Sequence, residues 1–365
     1  MKRLLLILLI APFLIVSAYA EDGSTPPDAG FDVRTVRDAL PEDVRDVGGE
    51  LRLDGDYDSA GALERLWNRF LVQIADSLRE SAREVLAVLA LAMLCTLGSV
   101  LTQGQKQAEY IQIAGCAAAS CLLADGTGSL VGRATAALSE LSDYASAVLP
   151  AVYSAAAACG APGSASARYA ASCFALDTLM AASQSLILPL IYATIAMAVC
   201  GSIFDNPLLK SGLKLTKKLA GMLMTGMTMV FTGFLSVTGL VTGSADAAAV
   251  KATKTVISAA IPVVGKILSD AASSVLAAAS LVRNAAGAFG LVAVCALCVA
   301  PFAAFGVRKL MFSLAAAAAE MTAGERMARL LGEFSSVMGI LLGLVGCYGV
   351  MLLMSIVSAI RTVTG

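Results

Sequence analysis

The sequence predicts an all-α, polytopic helical membrane protein with about seven to eight spans, a cleavable N-terminal signal and amphipathic helices. Three observations carry that prediction. Of the 365 residues, 58% are hydrophobic and 15% charged, where soluble domains carry about a quarter of charged residues. Apolar stretches approaching twenty residues, the length that crosses a hydrocarbon core of about 30 Å, recur along the chain. The charges are segregated: Glu21 to Ser59 holds twelve acids and four arginines, while Val85 to Gly365 holds sixteen bases and eleven acids.

Residues 1–20, "MKRLLLILLIAPFLIVSAYA", combine a Lys-Arg start, an apolar run and an Ala-x-Ala ending at Ala20, the pattern of a cleavable secretory signal. Residues 21–60 form an acidic extracytoplasmic arm with Pro26, Pro27 and Pro41, too polar to bury much surface. Residues 61–84 place Leu63, Leu66, Phe70, Ile74 and Leu78 at helical spacing with charges opposite, an amphipathic pre-membrane helix that carries the sole tryptophan, Trp67.

Residues 85–365 form the polytopic membrane domain. Clear spans are Val85–Thr102, Ile111–Ala124, Leu186–Phe204, Leu219–Val241, Asn284–Gly306 and Ser335–Ser358. The stretches Ala134–Cys159, Ala245–Val282 and Met311–Ala323 are alanine-rich and carry charges, so tilted, re-entrant and interfacial helices all fit them. "GTGSLVG", Gly126 to Gly132, reads as a loop. The lysines Lys210, Lys214, Lys217 and Lys218 mark a cytoplasmic loop, and Arg308 with Lys309 a second one. A weak internal repeat of 131–250 onto 243–362 brings Pro150 and Pro189 onto Pro262 and Pro301.

The chain contains no histidine, which excludes imidazole triads, dyads and His metal sites. Its nine cysteines lie in apolar surroundings and read as small hydrophobes. Gly265-Lys266 lacks the upstream glycine of a phosphate-binding loop. No catalytic, cofactor-binding or metal-ligating constellation is found, so an enzyme is not expected.

Ionisable groups in apolar stretches face a bundle interior, a water-filled cavity or a partner. Asp177, inside "ASCFALDTLMAAS", is one. In residues 246–283, Lys251, Thr255, Ser258, Pro262, Lys266, Ser269 and Ser273 recur at intervals of three to four, a narrow polar stripe suited to a pore wall or to a helix lying on the membrane. Asp177, Lys251, Pro262, Gly265, Lys266 and Asp270 are thus candidate pore-lining or helix-break residues. Gly339, Gly343 and Gly346 are candidate helix-packing residues, since small residues at this spacing let backbones approach.

Asp246, the Lys251/Lys254 pair, "IPVVG" at Ile261–Gly265, "LSDA" at Leu268–Ala271, the basic-Asn-x-x-Gly at Arg283–Gly287 and "APF" at Ala300–Phe302 resemble the central signature of the stage III sporulation protein AE family. The chain departs from that pattern at Lys266 and Arg283, and in its abundance of alanine. The resemblance implies a multi-pass membrane subunit of the channel-like complex that endospore formers build in the mother-cell membrane around the forespore, acting as a permease-like pore or export platform. Implied partners are the other stage III sporulation A-operon proteins, AA to AH, and stage II sporulation protein Q, alongside the lipid bilayer. No cofactor or nucleic acid is implied, and homo-oligomerisation stays open. Two rival readings of the residues are a secondary transporter with a midplane site at Asp177, Lys266 and Asp270, and a non-conducting assembly scaffold.

Overall fold

The computed structural model describes Leu40 and the backbone of residues 59–361, apart from 103–104, 160–161, 205 and 261–263; side chains of 59–60, 62–63, 105, 124–125, 239–286 and 361 are outside that description. The signal at 1–20 and nearly all of the arm at 21–60 lie outside the described residues. Every regular element among the described residues is helical: α1 Ser59–Leu101, α2 Gln105–Ala158, α3 Pro162–Ala182, a π turn Ser183–Ile187, α4 Leu188–Ile203, α5 Pro207–Ala260, α6 Val264–Thr322 and α7 Glu325–Arg361.

Six helical stretches among the described residues are long and apolar enough to cross a membrane, with the α3–π–α4 run counting as one. Hydropathy along the chain suggests about seven to eight, because several stretches that the structure joins count there as separate. Ile111–Ala124 and Ala134–Cys159 are halves of α2, and Asn284–Gly306 continues through Met311–Ala323 in α6. The pre-membrane helix and the first span are likewise one helix, α1.

The joins have local causes. "GTGSLVG" is helical rather than a loop: a glycine inside a helix costs only about 1 kcal/mol, and the Thr127 and Ser129 hydroxyls donate to the Leu123 and Gly126 carbonyls at 2.6 and 2.7 Å. Leu130 and Val131 are buried on the same stretch. Arg308 and Lys309 do not mark a loop either; they sit inside α6. The cluster Lys210–Lys218 belongs to the first turns of α5. Pro207 occupies the first position, where no backbone donor is needed, and the Leu208 N–H donates to Asn206 Oδ1 at 2.9 Å, an N-terminal cap.

Breaks follow equally plain chemistry. The α6–α7 turn holds Gly324 at φ 90°, a left-handed conformation that favours glycine. There the Ala323 and Gly324 N–H groups both donate to the Ala319 carbonyl, at 2.7 and 3.0 Å, closing the helix end. The π turn stands directly before Pro189, which lacks an N–H and clashes with the preceding turn of a regular helix; the widened turn absorbs both defects.

α6 and α7 form the central hairpin, and α7 also packs on α2, α3, α4 and α5. α1 lies on α6 and α2, and α5 lies on α3 and α4. Most of the apolar window of α6 and of α7 is buried, whereas that of α1 and α5 is mostly exposed. The outer helices therefore present apolar faces to lipid, as a polytopic bundle requires.

Candidate functional site

The most unusual side chain of the bundle is Arg308. It lies in the C-terminal third of α6 and is 1% exposed. A charge in that position requires a partner, and α1 supplies two. Arg308 Nη2 donates to Glu84 Oε1 at 3.1 Å and Nε to Glu84 Oε2 at 3.3 Å, while Nη2 also lies 3.1 Å from Glu80 Oε1. Glu80 and Glu84 are four apart and share one helix face. Arg133 of α2 then donates to both oxygens of Glu80, at 2.7 and 3.3 Å. A row of alternating charge, Arg133, Glu80, Arg308, Glu84, thus ties α2, α1 and α6 together. Arg308 Nη1 is buried without a hydrogen-bond partner.

A cavity of about 210 Å³ opens beside this row, lined by Arg83, Glu84, Val88, Leu123, Thr127 and Phe312 among others. Its wall is mostly apolar, with Arg83, Glu84 and Thr127 as its polar residues. Thr127 spends its proton on the Leu123 carbonyl. The cavity can therefore hold water or a small polar group between these residues.

Two further polar sets brace α7. Toward its start, Lys217 of α5 pairs with Glu333 at 2.5 Å and Arg326 with Glu109 of α2 at 2.7 Å. Toward its end, the buried Arg168 of α3 donates to the Ser358 carbonyl at 2.8 Å and to Ser358 Oγ at 3.1 Å, satisfying one of the last carbonyls of the helix. The buried Tyr153 hydroxyl donates to the Ser355 carbonyl at 3.0 Å and shares a 3.1 Å hydrogen bond with Ser172 Oγ.

The residues singled out in the sequence fall differently. Asp177 is exposed on α3. Pro262 lies outside the described residues, and the side chains of Lys251, Lys266 and Asp270 share that fate, although their backbone and that of Gly265 are helical. Gly339 faces the Lys309 side chain, a Cβ there falling 3.1 Å from Nζ; Gly343 faces Met224 at 3.7 Å and Gly346 faces Phe302 at 3.2 Å. Tighter than any of these are Gly115, where a Cβ would overlap Cys95 Sγ, and Gly287, where it would overlap Ile360. The Arg308 row is a feature that the sequence reading misses. Its signal is present in Glu80 and Glu84 at i, i+4, facing an apolar run, and in a basic residue amid apolar ones.

The described residues contain no group of three or more metal-binding side chains. A family model described as stage III sporulation protein AE matches residues 54–362. A curated relative, the stage III sporulation protein AE of Bacillus subtilis (strain 168), is 24% identical over 189 residues, which is 52% of this chain and 47% of that protein. The chain thus spans about half the length of this curated relative in the matched region. No solved structure matches.

Proposed function

This chain belongs to the stage III sporulation protein AE family and so has a role in sporulation; from that membership we propose that it is the polytopic membrane subunit of a channel-like complex between mother cell and forespore. The observation that carries the reading is that the family match, 54–362, takes in all six helical stretches able to cross a membrane among the described residues. The family therefore corresponds to the bundle itself.

In this reading the subunit performs no chemistry and works by packing, as a permease-like pore or export platform. Support comes from the distribution of charge. Several ionisable groups of the bundle are paired between helices, as in the Arg133–Glu80–Arg308–Glu84 row and the Lys217–Glu333 pair, which suits braces between moving or assembling helices. The polar stripe of 246–283, with Lys251, Pro262, Gly265, Lys266 and Asp270, supplies the pore wall. The partners are the other A-operon proteins of stage III and stage II sporulation protein Q, and the site of action is the mother-cell membrane around the forespore.

The test is isolation of the tagged full-length chain from sporulating cells, with its fluorescent fusion imaged in parallel. Co-isolation of those partners and fluorescence confined to the membrane around the forespore are expected. A chain spread evenly over the cell membrane and isolated without them would overturn the proposal.

A further inference from the structure

The first turns of α5 carry an exposed basic column beside an exposed apolar face. On this helix Leu213, Ala220 and Met224 are buried against the neighbouring helices, and Lys217 turns the same way to meet Glu333. At 100° per residue, Leu215, Leu219 and Met222 fall on the opposite face together with Leu208. These four are 65%, 40%, 57% and 78% exposed. Between the two faces runs a column, Lys210, Lys214 and Lys218, four residues apart and all exposed.

The depth of that column is fixed by the remainder of the helix. The exposed apolar face continues through Met229, Val230 and Val237. From Leu219 to Val237 the helix rises roughly 28 Å at about 1.5 Å per residue, close to the hydrocarbon thickness of about 30 Å. Lys218 therefore stands at the edge of the hydrocarbon, and Lys214 and Lys210 extend through the headgroup layer over about 12 Å. From Phe204 to Met222 the sequence has four lysines and one acid, Asp205; with Lys217 set against Glu333 and Asp205 counted against the column, its three lysines keep a net charge of +2. Long cationic side chains beside an apolar, lipid-facing surface place their ammonium groups at the level of phosphates.

We propose that Lys210, Lys214 and Lys218 form a binding collar for anionic phospholipid headgroups, with the acyl chains lying along Leu215, Leu219 and Met222. The occupant is the membrane's own anionic lipid, since the column is continuous with the face that meets lipid. The collar anchors α5, a helix that contacts α7 through Lys217, and so holds one side of the bundle to a leaflet rich in negative charge.

The test is photo-crosslinking of the full chain reconstituted in phosphatidylcholine vesicles containing a trace of photoreactive phosphatidylglycerol or photoreactive phosphatidylcholine, with adducts on residues 207–222 quantified by peptide mass spectrometry. The phosphatidylglycerol probe should exceed the phosphatidylcholine probe at least about five-fold on this segment, a ratio expected to fall as salt rises. The ratio should drop to near one in K210Q/K214Q/K218Q and persist in K210R/K214R/K218R. Equal labelling of the wild-type chain by both probes, or a preference that survives the glutamine substitutions, would overturn the proposal. If the glutamine variant does not fold, the salt titration of the wild type and the arginine variant decide. Displacement of the lipid probe by soluble glycerol phosphate at matched concentration would also overturn it, by showing a site for a free anion.

Discussion

Arg308 and Glu84 are 224 positions apart in the chain and joined by two hydrogen bonds of 3.1 and 3.3 Å in the bundle. The pair closes the first helix of the fold onto the central hairpin. A buried arginine can occupy a long apolar helix because two carboxylates, one turn apart on α1, arrive from far earlier in the sequence. The contact is thus a condition of α6 being where it is, and several consequences can be measured.

Arg308→Met leaves Glu84 and half of Glu80's pairing without a cation. The carboxylates left behind are 34% and 46% exposed and partly rehydrate, so the cost stays below the about 3–5 kcal/mol of breaking a fully buried pair, and the thermal midpoint of the purified protein in detergent should fall measurably. Arg308→Lys should recover only part, because an ammonium cannot form the two-pronged contact with Glu84. Glu84→Gln should cost less than Arg308→Met, since Glu80 still faces the guanidinium. An Arg308→Met protein as stable as the wild type would remove the row from any structural role.

The end of α7 makes a separate prediction. Tyr153→Phe removes one hydroxyl from a buried pair of hydrogen bonds and should cost about 1 kcal/mol. Arg168→Ala removes the group that satisfies the Ser358 carbonyl, so hydrogen exchange of the last turn of α7 should quicken while the middle of the helix keeps its protection. Equal exchange across both segments in variant and wild type would contradict the capping role.

Glycines separate into two kinds by what surrounds them. Gly115→Ala drives a methyl into Cys95, an overpacking that costs about 1–3 kcal/mol, and the double substitution Gly115→Ala with Cys95→Ala should restore most of it. Gly128, with nothing within 4 Å of the place a methyl would occupy, should tolerate alanine and gain about 0.5–1 kcal/mol from helix propensity. Opposite signs of the two melting-temperature shifts are the expected result; matching signs would show that the close approach of α1 and α2 at Gly115 is misplaced.

If the polar stripe of 246–283 lines a water-filled path, single cysteines introduced there on a background without the native ones should react with a membrane-impermeant thiol reagent at Lys251, Thr255, Ser258, Lys266 and Ser269. Ile257, Val264 and Leu268 should stay protected. Alternation every three to four residues supports a wall. Uniform protection, or alternation that vanishes when the partners are absent, favours the scaffold reading.

The helical class and most of the apolar stretches are legible in the sequence, because composition and length alone decide them. The number of helices is not. Glycine and serine between Asp125 and Arg133 look like a loop, yet hydroxyls that bond back along the helix and a buried Leu130 hold the backbone helical. Arg308 with Lys309 looks like a loop for the same kind of reason: a local rule reads a charge as solvated, whereas Glu80 and Glu84, more than two hundred residues earlier, make burial tolerable. Asn206 and Pro207 hold the start of α5 in their own chemistry, yet the lysines that follow read as a loop in the sequence and sit instead on the helix. Long-range pairing is what a local reading lacks, and the Arg308 row consists of nothing else.

Dependence of stage III of sporulation on this membrane subunit is tested by deleting the coding sequence in the host that carries it and counting heat-resistant spores while following late forespore gene expression. Forespores should be engulfed but fail in late expression, with spore yield lost and then restored by the wild-type chain supplied in the mother cell. Normal late expression and a normal yield of heat-resistant spores in the deletion strain would contradict it.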